Sequence, residues 1–133
     1  MAGHESRPHV VIENRDDVAA AAQAAALDAA GFRTSRCAGP DHEVRDCPVL
    51  TGEPCDLIAE ADVVLHDLDL DHPVDREVLA RLQRDRPGLP IVVEAGTTVI
   101  RQDRRELLRC TVVTPYSMEH LAAAVAEALS TTV

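Results

Sequence analysis

Aromatic side chains are almost missing from this chain. One Phe, one Tyr and no Trp occur in 133 residues. Readers of single-stranded nucleic acid stack bases on aromatic platforms, so that class is disfavoured. Positive charge is scarce as well: 13 basic residues stand against 23 acidic ones, for a formal net charge of −10. That balance repels a phosphate backbone or an anionic membrane surface, and suits a cation or a basic protein surface. No apolar run approaches the roughly 20 residues that span a bilayer. The opening "MAGHESRPH" has no apolar signal core. The expectation is a soluble, cytoplasmic protein with neither a nucleic-acid nor a membrane partner. The chain also lacks a Ser-His-Asp set, a Gly-rich phosphate loop, a zinc-hydrolase helix and a dinucleotide-binding fingerprint. It reads as a non-enzyme.

What is present is alternation. The length fits one domain, with residues 1–8 a flexible N-terminus and 9–133 the domain. "HVVIE" (9–13) is a short β-branched run. "DDVAAAAQAAALDAAGF" (16–32) begins with acids and stops at Gly31, as a helix should. "FRTSRC" (32–37), "ADVVLHD" (61–67), "PIVVEAG" (90–96) and "CTVVTP" (110–115) complete five strands. Helices are expected over 73–88, with Asp75 as its cap, over 101–109, and over 117–129, where Leu121, Val125 and Leu129 form a stripe. Repeated βα units imply a parallel sheet covered on both faces. The C-terminal ends of such strands share one rim, where sites form. Glu13, Asn14, Asp67, Glu94, Ala95, Thr114 and Pro115 fall on it.

"ADVVLHDLDLDHP" (61–73) starts as a buried strand and ends with aspartates at every second position, Asp67, Asp69 and Asp71. With "PHVVIENRDDV", "REVLARLQRDRPGLPIVVEAG" and "TPYSMEHLAAAVAEAL", it resembles the receiver domains of bacterial response regulators. The resemblance covers nearly the whole chain. It implies a flavodoxin-like three-layer sandwich, with a five-stranded parallel sheet in the order 2-1-3-4-5 and helices on both faces. It also implies a cis peptide bond before Pro115 and a phosphoacceptor at Asp67, with Mg²⁺ held by Glu13, Asn14 and Asp67. Phosphoryl transfer to a carboxylate needs such a cation to neutralise charge.

The rest of the family's pocket is depleted. Glu13 and Asn14 supply one carboxylate fewer than the usual acidic pair. Ala95 replaces the hydroxyl that contacts the phosphoryl group, and Thr114 replaces the lysine that pairs with it. Thr111 replaces the switch aromatic. Asp69 and Asp71 read as loop charges, and Glu94 as a solvent-facing strand end. His66 points to the face opposite Asp67 by strand alternation.

The segment between the second and third strands is longer than receivers allow, with an extended Cys-containing loop at about 37–55 and a short helix near 56–61. Cys37, His42, Cys47 and Cys55 form a chemically allowed tetrahedral set. Their spacing matches no standard ligand pair, which disfavours Zn²⁺. A Cys47–Cys55 disulfide is the redox alternative, and a reducing cytoplasm opposes it. Free thiols are the default.

Three readings follow. The first is a stand-alone pseudo-receiver in a two-component or phosphorelay pathway, acting by protein contact with a poorly phosphorylatable pocket. The second is a working phosphoacceptor at Asp67 with Mg²⁺. The third is a thiol or metal sensor. The partner implied is a histidine kinase or a downstream regulator. The Ala-rich last helix points to a homodimer.

Overall fold

Parity along the strands organises the molecule. The computed structural model describes residues 7–94, 111–113 and 118–130. Its strands are β1 (His9–Glu13), β2 (Arg33–Cys37), β3 (Val63–His66), β4 (Ile91–Glu94) and β5 (Thr111–Val113). They form one parallel sheet in the order β2-β1-β3-β4-β5. This is the expected flavodoxin-like order. The helices are α1 (Asp17–Ala29), α2 (Pro48–Thr51), α3 (Asp56–Ala59), α4 (Pro73–Asp85) and α5 (Met118–Ser130).

Val10, Ile12, Val63, Leu65 and Val92 turn to one face of the sheet. They pack with Leu27 of α1 and with Leu121 and Val125 of α5. The alternate residues Val11, Val64 and Val93 turn to the other face. There they meet Val78, Leu79 and Leu82 of α4, together with Leu50 and Ile58. Central strands buried on both sides require the near-continuous apolar runs seen in the sequence. Burying one such leucine or valine stabilises by about 2 kcal/mol relative to leaving it in water.

The helix ends follow local chemistry. Asp16 caps α1, accepting from the N–H groups of Val18 and Ala19 at 2.9 and 3.1 Å. Gly31 takes the positive φ of 97° just past the helix end. Asp75 does not cap α4. His72 does, through Nδ1 accepting from Val74 N–H at 3.2 Å. Asp75 sits three positions beyond the cap, inside the first turn, with its side chain turned inward and buried. The long segment after β2 holds two single-turn helices rather than one, and the second stops at Ala59. The helix expected over 101–109, the rim positions Ala95, Thr114 and Pro115, the Thr114–Pro115 bond and Cys110 lie outside the described residues.

Candidate functional site

Parallel register brings three strand ends together. Glu13 pairs with His66 across β1 and β3. Asp67 N–H then donates to the Glu13 carbonyl at 2.9 Å. Alternation divides the side chains at this point. Asn14, Asp67 and Glu94 turn toward α1, while Glu13 and His66 turn toward the α4 side.

On the α1 side, Asp67 meets Gln23. This glutamine is only 2% exposed, on the inner face of an otherwise alanine-rich helix. Its Nε2 donates to Asp67 Oδ2 at 2.8 Å and to Glu94 Oε2 at 2.7 Å. Asn14 Nδ2 donates to Asp67 Oδ2 at 3.1 Å and to Gln23 Oε1 at 3.0 Å. Asn14 is itself fixed. Its Oδ1 accepts from Asp16 N–H at 2.9 Å, and Arg36 donates twice to its carbonyl, at 3.0 and 2.8 Å. The two amides therefore spend all four of their N–H groups inside this network.

Burial pushes the Glu94 carboxyl up to about 8, helped by its hydrogen bond with Asp67 and by the Asp67 charge, and opposed by Gln23. At neutral pH this holds Glu94 as a neutral acid beside Asp67. The expectation of a solvent-facing Glu94 is corrected: it is half-buried and part of the site.

On the other side, the carboxylate of Glu13 bonds His66 Nδ1 at 2.7 Å, with both side chains buried. His66 Nε2 has no partner among the described residues. Glu13 thus shares the rim with Asp67 through its backbone, but its carboxylate is not available beside Asp67. Of the set Glu13, Asn14 and Asp67, the structure brings together the last two only.

Those residues do not fit Mg²⁺. The cation needs oxygen ligands, and here amide N–H donors from Asn14 and Gln23 point at the Asp67 side chain. Among the described residues no three His, Cys, Asp or Glu side chains are arranged to hold a metal ion.

No family model and no curated protein matches the sequence. Solved structures do match. A response regulator receiver domain protein from Clostridium thermocellum superposes with a TM-score of 0.70 at 12% identity, covering 92% of this chain and 94% of that one. A response regulator from Thermotoga maritima gives 0.68 at 15% identity, covering 94% and 99%. A sensor protein from Polaromonas sp. JS666 gives 0.71 at 17% identity, covering 96% and 99%.

The chain has the receiver fold.

Within that fold, Asp67 stands at the end of the third strand, where the resemblance puts the phosphoacceptor. All 13 basic residues of the chain are arginine, and it contains no lysine. The other two aspartates are ordinary turn residues. Asp69 Oδ1 accepts from Asp71 N–H at 3.0 Å, and the Asp69 carbonyl accepts from His72 N–H at 2.9 Å.

The cysteine set is divided too. Cys37, Cys47 and Cys55 are free, half-buried thiols packed on the α4-side core. Burial raises the thiol pKa of Cys37 and of Cys47. His42 turns away from them. Its Nε2 bonds the Asp75 carboxylate at 3.0 Å, and its ring stacks on His72 with centroids 3.5 Å apart.

Proposed function

We propose that this chain is a receiver-like signalling module of the two-component type that acts by protein contact, without conventional phosphorylation of Asp67. The observation that carries the reading is the state of Asp67. One of its oxygens accepts from both Asn14 and Gln23, and a protonated Glu94 lies alongside. A phosphoacceptor needs a cation and preorganised donors around the incoming phosphoryl group, and losing such contacts costs about 3 kcal/mol or more of transition-state stabilisation. Here the donors already serve the unmodified carboxylate.

The module is a pseudo-receiver and not an enzyme. It works in the cytoplasm, and its net charge of −10 suits a partner with a basic surface. A kinase or downstream regulator is the partner class that the receiver fold suggests, and self-association uses the last helix.

The test is treatment with acetyl phosphate and Mg²⁺, read by intact mass. No phosphate adduct is expected. Stoichiometric gain of one phosphate, abolished by Asp67→Asn, would overturn the reading in favour of a working phosphoacceptor.

A further inference from the structure

A second concavity lies at the far end of the sheet from Asp67. It is a cavity of about 590 Å³ between the α2–α3 segment and the last turns of α4. That volume is in the range of small-molecule sites. Its apolar wall is Val49, Ile58 and Leu82; Ile58 and Leu82 belong to the core, so this wall is fixed. Its charged lining is Arg81, Arg84 and Arg86, together with the carboxylates Glu53 and Asp85. Two of these arginines are neutralised: Arg81 by Glu77 at 2.9 Å, and Arg84 by Asp85 at 2.9 Å. Arg86 differs. It is half-buried, and Nη1 donates to the Ile58 carbonyl at 3.0 Å, which fixes the guanidinium against the apolar wall. Among the described residues it has no carboxylate within ion-pair distance. Acidic side chains outnumber basic ones almost two to one in this chain, 23 to 13, so a half-buried guanidinium without a counter-ion is conspicuous. A guanidinium has five N–H donors in a fork that matches a carboxylate.

We infer that this cavity binds a small amphipathic carboxylate, with its hydrocarbon body on Val49, Ile58 and Leu82 and its carboxylate on Arg86. The site is built by the long segment after β2, and it is independent of the state of Asp67.

Decanoate is the probe, titrated into ¹⁵N-labelled protein below its micelle concentration, with decanol as the uncharged control. Saturable shifts of the Ile58, Ala59 and Arg86 amides are expected, with decanoate binding roughly ten-fold more tightly than decanol. Arg86→Met should remove that preference. Ala59→Trp, at an exposed position on the cavity wall, should abolish binding of both. If Arg86→Met fails to fold, the carboxylate preference of the native chain and the Ala59→Trp result still decide. Absence of saturable shifts, shifts confined to other residues, or equal binding of decanoate and decanol would each overturn the inference.

Discussion

Asp67 is held by side chains whose type, rather than position, is unusual. Gln23 lies where an alanine-rich helix faces the sheet, and its amide closes the space that a cation would need. Nothing local in "DVAAAAQAAALDA" marks it as more than a polar break in a helix. Its role depends on contacts 44 and 71 positions away, to Asp67 and Glu94. Asp67 itself was legible, because an apolar strand ending in an acid at the rim is a local pattern. Glu94 was placed correctly and its environment was not, since burial of a strand end depends on the helix above it. Its raised pKa has a thermodynamic consequence. The folded state holds a proton on Glu94 up to about pH 8, whereas the unfolded chain releases it near the ordinary value of 4.5. This contribution is therefore fully present below pH 4.5 and is lost as pH rises through about 8. Thermal midpoints should fall across that window. Glu94→Gln keeps a neutral donor beside Asp67 and removes the titration, so its midpoint should be flatter over the same range and higher than wild type at the alkaline end. Parallel melting curves for the two proteins at pH steps check this. Identical pH profiles would mean that Glu94 is not protonated in the native state.

At the scale of elements, the βα alternation was legible because strands and helices are written in local hydrophobic period. The attachment of the segment after β2 was not, because its anchors lie far apart in sequence. Asp75 is the centre of that attachment. It is fully buried and accepts from Arg15 Nη2 at 2.7 Å, from Asp69 N–H at 2.9 Å and from His42 Nε2 at 3.0 Å. One carboxylate thus ties the loop after β1, the long segment and the turn before α4 to the helix. Gly39 helps the segment in: a Cβ there would come within 2.8 Å of a Leu68 methyl. Burial alone would push Asp75 up, but the bonds from Arg15, Asp69 and His42 outweigh it and hold the carboxyl below the usual range. The stability it contributes is present above the ordinary carboxylate value of 3.8 and is lost as pH falls through the lower native value. Asp75→Asn should destabilise the protein by about 2 kcal/mol. The cost is smaller than for a wholly buried pair, since the Arg15 side chain is 35% exposed and can turn to water. Denaturant unfolding measures the loss. Amide exchange should quicken first in residues 38–46. A variant as stable as wild type, with unchanged exchange there, would show that the segment is held by its apolar contacts alone.

For the whole molecule, the question is which surface meets another protein. The central strands β1, β3 and β4 are buried, and they give no patch to a partner. α5 is different on its two sides. Leu121, Ala124, Val125 and Ala128 are spent on the core with Leu129 partly buried against it, so the stripe read from the sequence faces inward as a core stripe should. Ala123 and Ala126 remain outside, with Glu127 the only acid among the described exposed positions of this helix. Small side chains let a second helix approach closely and cost little side-chain entropy on burial. A two-fold axis through Ala123 and Ala126 would pair this face with its own copy. On this basis the chain is expected to form a homodimer at micromolar concentration, with roughly 1,000 Å² or more of surface buried in total. Ala126→Arg sets two like charges against each other near the axis without touching the core, so it should weaken the dimer roughly ten-fold or more while the unfolding free energy of the monomer stays within about 0.5 kcal/mol of wild type. Sedimentation velocity across a concentration series decides it. A single monomeric species throughout, or a dimer that Ala126→Arg leaves intact, would take the last helix out of the interface and leave the acidic remainder of the surface as the place where a basic partner binds.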